Sequence, residues 1–137
     1  MKTVIKYELT INKAIRSALS YGTPAEQINE FIRYLGRHIG ADRIYIFEDC
    51  PKENITKNTY EWCADGVKPE IDNLQSVPME LIGWWYDLFD QKKNVIIEDM
   101  EDIKETYPDS YKLLSEQNIH RLVVAPFRYE DEIRGFF

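Results

Sequence analysis

The sequence predicts one α+β domain, with helices packed against an antiparallel sheet. Three observations carry that prediction. Apolar residues recur at helical spacing through the first forty positions. At Arg43 the pattern changes to β-branched and aromatic runs, which suit strands. The connections between these runs are short enough to be hairpins, so the strands pair antiparallel. A length of 137 residues fits a single domain and is short for two.

The elements follow in order. A first helix is expected from about Leu9 to Ser20, carried by Ile11, Ala14, Ile15, Ala18 and Leu19, with residues 1–8 as a flexible lead and Gly22 as the stop. Its exposed face would carry Lys13, Arg16 and Ser17. Thr23 then reads as an N-cap, with Pro24 at the first helical position and Glu26 completing a capping box. The second helix shows one stripe, Ile28, Phe31, Ile32, Leu35 and Ile39, and ends at Gly40. Arg43–Glu48 is a strand, Pro51 and Asn54 mark a turn, and Ile55–Ala64 is a second strand whose Thr56, Asn58, Tyr60 and Trp62 share one face. Asp65–Pro78 is a loop. A third helix from about Met79 to Gln91 carries Leu81, Trp84, Trp85, Leu88 and Phe89 on one side. A short strand at Val95–Ile97 precedes two short helices, Met100–Ile103 and Ser110–Gln117, around Pro108. Ile119–Arg128 is a longer strand, apolar on both faces between Leu122 and Phe127 and so expected to be covered on both sides, and Ile133–Phe137 begins another.

Composition narrows the function. The 24 acidic and 17 basic side chains give a net charge of −7, and the basic residues are dispersed, with Lys92-Lys93 as the densest pair. Nucleic acids and acidic membranes call for clustered Lys and Arg, so neither is an expected partner. No apolar run approaches the roughly 20 residues of a membrane span, and the N-terminus lacks the apolar core of a signal peptide. With two cysteines there is no disulfide framework, and a reduced, cytoplasmic location is expected. The acidic clusters Glu98-Asp99, Glu101-Asp102 and Glu130-Asp131-Glu132 read as solvated surface. His38 and His120 stand away from cysteines and carboxylates at ligand spacing, so no metal and no haem is expected. Glycine-rich phosphate loops and nucleophile motifs are missing from the sequence, and the chain offers no catalytic residues and implies no cofactor.

Four segments, in order, resemble a GAF domain: GADRIYIFE (Gly40–Glu48), NTYEWCADGVKPEIDNLQ (Asn58–Gln75), VIIEDM (Val95–Met100) and LLSEQNIHRLVVAPFRYEDEIRGFF (Leu113–Phe137). The likeness is to the sort found in bacterial signalling proteins beside diguanylate cyclase (GGDEF), phosphodiesterase (EAL) or histidine kinase domains. It implies a profilin-like antiparallel sheet of five to six strands, two N-terminal helices on one face, and a roof of loops and helix over a ligand pocket on the other. It also implies a last strand continuing past Gly135-Phe136-Phe137, so that 1–137 reads as one domain cut from a longer protein. The family's bilin-attaching cysteine motif, its sulfoxide-reducing cysteine set and its cyclic-nucleotide signature are not found in this chain.

The aromatic content, 13%, then has two readings that overlap. Trp84 and Trp85 on the third helix, with Tyr60 and Trp62 on the second strand, are core, pocket wall, or both. Asn58, Asp72 and Asn73 would supply polar contacts to a ligand. The resemblance implies a non-catalytic sensory domain that binds a small molecule and modulates a C-terminal output domain, a diguanylate cyclase among the candidates. The alternative is a structural module with a filled pocket that forms a homodimer through its first helix.

Overall fold

The computed structural model describes the backbone of residues 2–137 and the side chains from residue 6 onward. Met1, the first residue of the expected lead, lies outside the described residues. Helix α1 runs Lys2–Leu19, so the helix begins well before the apolar periodicity does. Helix α2 runs Pro24–Ile39. Its N-terminus forms as the sequence predicts: the Thr23 hydroxyl accepts from the Glu26 amide, and the Glu26 carboxylate accepts from the Thr23 amide. At its other end Gly40 adopts φ 71°, a conformation that favours glycine.

The strands are β1 (Arg43–Cys50), β2 (Ile55–Cys63), β3 (Val77–Pro78), β4 (Val95–Ile97), β5 (Leu122–Val124), β6 (Pro126–Tyr129) and β7 (Glu132–Phe136). Five of them form a sheet in the order β3-β2-β1-β7-β6, and β4 pairs with β5 in a separate ribbon. Thr56 faces Val77, Phe47 faces Phe136, and Val95 faces Val124, each in antiparallel register. The β6–β7 turn places Glu130 and Asp131 at φ 51° and 65°, the pair of left-handed residues that a tight hairpin of this hand requires. Gly135 is set by close approach, because a Cβ there would meet the Phe47 carbonyl and the Phe127 ring.

Helix α3 is Gly83–Asp90, preceded by a 3-10 turn at Met79–Ile82, and α4 is Pro108–Ser115, with a 3-10 turn at Met100–Ile103 before it. One expectation fails. The run Ile119–Arg128 is not a single strand covered on both sides. It breaks at Ala125 into β5 and β6, which belong to different sheets, and Val123 is 66% exposed. The continuous apolar pattern arises because the chain changes sheets, so successive residues face different neighbours.

Two compact units emerge. The first comprises residues 1–46 and 59–71; the second comprises residues 47–58 and 72–137. The β1–β2 hairpin contributes its open end to the first and its turn end to the second. In the first unit, Ala14 and Ala18 of α1 are buried, while Ile11, Ile15 and Leu19 are exposed. The seam between α1 and α2 is therefore built on small residues, and the larger apolar side chains flank it. Ser17, expected on the exposed face, instead donates to Glu30 at 2.6 Å within that seam. Glu30 also accepts from Arg33 at 2.7 Å, and the two hydrogen bonds, Arg33's first, hold its carboxyl near pKa 2, well below its ordinary 4.5. The second unit's core includes Phe47, Val77, Trp85, Phe89, Val95, Met100, Leu114 and Phe136.

Candidate functional site

The sequence-predicted site residues divide between the units. In the first, Trp62 lies against Gly36 of α2, whose missing side chain makes room for the six-membered part of the indole. Trp62 therefore packs on the second helix. Alternation along β2 cannot say what covers a residue's face. Tyr60, also in the first unit, is half-buried. Next to Trp62 in sequence, Glu61 accepts from the backbone amides of Glu70 (3.0 Å) and Ile71 (3.3 Å), and the Arg43 Nε lies 3.6 Å from its carboxylate. Arg43 in turn donates to the Lys68 carbonyl. This buried pair fastens the loop that follows β2. Burial raises the Cys63 thiol, which does not suit a nucleophile.

The second unit gathers the rest. Asn58 is fully buried; its amide donates to the Leu74 carbonyl at 2.9 Å, and its carbonyl accepts from Gln75 at 2.8 Å. Asp72 and Asn73 occupy a 3-10 turn (Ile71–Asn73) and are exposed. Trp84 stacks on Tyr107 with centroids 4.1 Å apart, and its indole N–H donates to Ser110 at 2.9 Å. Ser110 passes the chain on to the Leu81 carbonyl at 2.5 Å. The polar edge of Trp84 is thus engaged by Ser110 of α4.

Trp85 differs. It is 4% exposed, it meets Phe136 edge-on at 5.4 Å, and its indole N–H has no hydrogen-bond partner. A buried donor left unpaired costs roughly 1–3 kcal/mol. Phe136 is the centre of an aromatic cluster. Phe47 stacks on it at 4.8 Å, and Tyr86 and Phe89 approach at 6.4 Å. At the rim of this cluster the Tyr86 hydroxyl donates to Asp49 at 2.8 Å. Burial is the main cause of the raised Asp49 carboxyl and of the raised Tyr86 phenol, and the Asp49 charge adds to the latter.

Asp49, Tyr86 and Phe136 are the residues that sequence reasoning missed. The expected strand stops at Glu48, whereas β1 runs on to Cys50 and so carries Asp49 at its end. Within the second unit, the arrangement offers an aromatic wall, one unpaired buried donor and one half-buried acceptor. Such a combination can orient a small molecule. Among the described residues, no group of three or more His, Cys, Asp or Glu is placed to hold a metal ion. None of the described helices is long and apolar enough to cross a membrane.

No family model matches the chain. Among curated proteins it is similar to the methanogenesis regulatory histidine kinase FilI of Methanothrix harundinacea, at 28% identity over 116 residues. That match takes in 80% of this chain but only 12% of the kinase, so the chain corresponds to a small part of its relative. Among solved structures it resembles a far-red absorbing protein in its dark state with bound biliverdin IXα, at TM-score 0.74 and 11% identity, covering 93% of this chain and 79% of that one. The chromophore-binding domain of an unusual bacteriophytochrome from R. palustris superposes at TM-score 0.72 and 13% identity, covering 97% of this chain and 51% of that one. The GAF domain of an Acinetobacter phosphoenolpyruvate-protein phosphotransferase superposes at 0.67 and 12% identity, covering 96% and 74%. These neighbours agree with the element order and the antiparallel five-stranded sheet: the chain has the fold of a GAF domain.

Proposed function

We propose that this chain is a non-catalytic sensory domain that binds a small organic molecule at the aromatic cluster under α3 and conveys its occupancy to an output domain of a longer, cytoplasmic signalling protein. The observation that carries this reading is the Trp85 indole N–H, buried and unpaired among aromatic rings. A packed core normally satisfies such a donor, and a ligand acceptor atom would complete it. Two of the similar structures are chromophore-binding proteins, which supports a ligand in this fold. The similarity to a histidine kinase supports a kinase output over the diguanylate cyclase that the resemblance first suggested.

The test is a thermal-shift screen of the domain against a metabolite collection. A ligand at a hundred times its Kd raises stability by about 2.7 kcal/mol. The reading expects at least one stabilising compound whose effect is lost in Trp85→Phe, which keeps an apolar ring and removes the donor. Failure of the whole collection to move the melting temperature counts against it.

A second reading, a dimerisation module, rests on a separate observation. Tyr7, Ile11, Ile15 and Leu19 recur every fourth residue along α1 and are all exposed. Ile15 and Leu19 border an open apolar groove with Ile28, Phe31 and Ile46. An exposed ridge of this spacing suits helix-on-helix packing. Light scattering of the domain, with Ile15→Glu as the control, separates this reading from a monomeric sensor.

A further inference from the structure

We propose that Asp49, with the ring of Tyr86, is the recognition point for a small organic cation, an ammonium or amidinium. This assigns a ligand class to the site described above, and it rests on the sensory reading of that site.

Asp49 is half-buried, and its partners are hydroxyls: Tyr86 donates at 2.8 Å, and Thr56 lies within reach. Glu30 pairs with Arg33, Glu61 with Arg43, Glu101 with Lys104 and Glu132 with Arg134, whereas Asp49 has no such pair among the described residues. The contrast with Glu61 is instructive. That acid is as deeply placed as any in the chain, and it has both a guanidinium and two amides. A carboxylate withdrawn from water without a cation is unfavourable, and folds supply a partner or leave the group outside. Here the fold leaves the group half-buried and supplies hydroxyls but no cation.

The neighbours favour a positive guest. Phe47 stands two residues before Asp49 on β1, on the same side of the strand, and stacks on Phe136. Tyr86 is half-exposed; its hydroxyl meets the carboxylate, and its ring lies 5.6 Å from Phe89 and 6.4 Å from Phe136. Aromatic faces attract cations through their quadrupole, and they do so more strongly where water is excluded. A ligand acceptor oxygen would complete Trp85, which meets the same Phe136 ring at 5.4 Å. An anionic ligand would meet the Asp49 charge and a chain of net charge −7.

Two measurements test this. The first needs no ligand. Asp49→Asn keeps an oxygen to accept from Tyr86 and removes the charge. Because that charge has no cationic partner, the unliganded variant should melt at or above the wild-type temperature at neutral pH. A fall of several degrees, or failure to fold, overturns the proposal, since the charge would then be compensated within the protein. The second uses compounds that share a skeleton and differ in charge: tyramine, tyrosol and 4-hydroxyphenylacetate, then choline and 3,3-dimethylbutanol. The cationic members should raise the wild-type melting temperature, the neutral and anionic members should not, and Asp49→Asn should abolish the shift. A cation shift that survives in Asp49→Asn overturns the assignment. Stabilisation confined to neutral or anionic compounds, here or in the metabolite screen, overturns the ligand class and leaves the sensory reading standing. If neither these compounds nor the screen produces a shift, both fall.

Discussion

The seam between Gly36 and Trp62 gives a prediction whose sign depends on the structure. Replacing glycine by alanine inside a helix normally stabilises, by about 0.5–1 kcal/mol, because glycine loses more backbone freedom on folding. Gly36 is buried in α2 at ordinary helical geometry, so that gain is available. A Cβ at position 36, however, would overlap the Cε3 and Cζ3 atoms of Trp62 and lie 3.0 Å from Cδ2. Those atoms belong to a rigid ring, which cannot yield as the end of a flexible chain would. Overpacking of this kind costs about 1–3 kcal/mol. The net expectation for Gly36→Ala is a loss of about 1 kcal/mol, or about 4 °C in melting temperature for a chain of this size. In a Trp62→Leu background the overlap is gone, and the same substitution should become stabilising by about 0.5 kcal/mol or more. Urea titrations followed by far-UV circular dichroism read both values, provided the slope is unchanged among the four proteins. The reasoning is refuted if Gly36→Ala stabilises the wild type, or if its effect is the same in both backgrounds.

Other predictions follow from single contacts. Glu30 titrates near pKa 2 in the folded chain against an ordinary 4.5, so the stability it contributes is fully present above about 4.5 and is lost as pH falls toward 2. Thermal melts across pH should show Glu30→Gln below wild type at neutral pH, with the gap closing over that acid window; a constant gap would contradict the assignment. Ser110 is 1% exposed and joins Trp84 to the Leu81 carbonyl, so Ser110→Ala should lower stability by about 1–3 kcal/mol, measured by urea denaturation. A neutral result would mean that water or another group replaces the hydroxyl.

How much of this was legible in the sequence depends on how local the signal is. The α2 helix was readable to the residue, because Thr23, Pro24, Glu26 and Gly40 act through their own backbone neighbours. The β1–β2 hairpin was legible in outline, although β1 runs two residues past its expected end, to Cys50. The break at Ala125 was less plain: Leu122–Phe127 is uniformly apolar, and its one mark is Pro126, which suits the first position of a strand and not the middle of one. The early start of α1 rests on a short signal, Val4 and Tyr7 at steps of three and four before Ile11. Among the site residues, Trp85 and Trp84 are neighbours with opposite fates. One indole N–H has Ser110, 26 positions away, and the other has no partner. Helical spacing assigns both to the same apolar stripe, and only tertiary contacts separate them. Asp49 was passed over because an acid at a strand end reads as solvated surface until Tyr86, 37 positions away, is seen to meet it.

The central claim is that the aromatic cluster under α3 receives a small molecule at Trp85. The three tryptophans give three indole N–H signals in a proton–nitrogen correlation spectrum, and their environments differ: Trp62 against Gly36, Trp84 bonded to Ser110, Trp85 unpaired. Titration with a compound that stabilises the domain should displace the Trp85 signal and leave those of Trp62 and Trp84 in place. A stabilising compound that moves the Trp62 or Trp84 signal while Trp85 stays fixed would contradict the account.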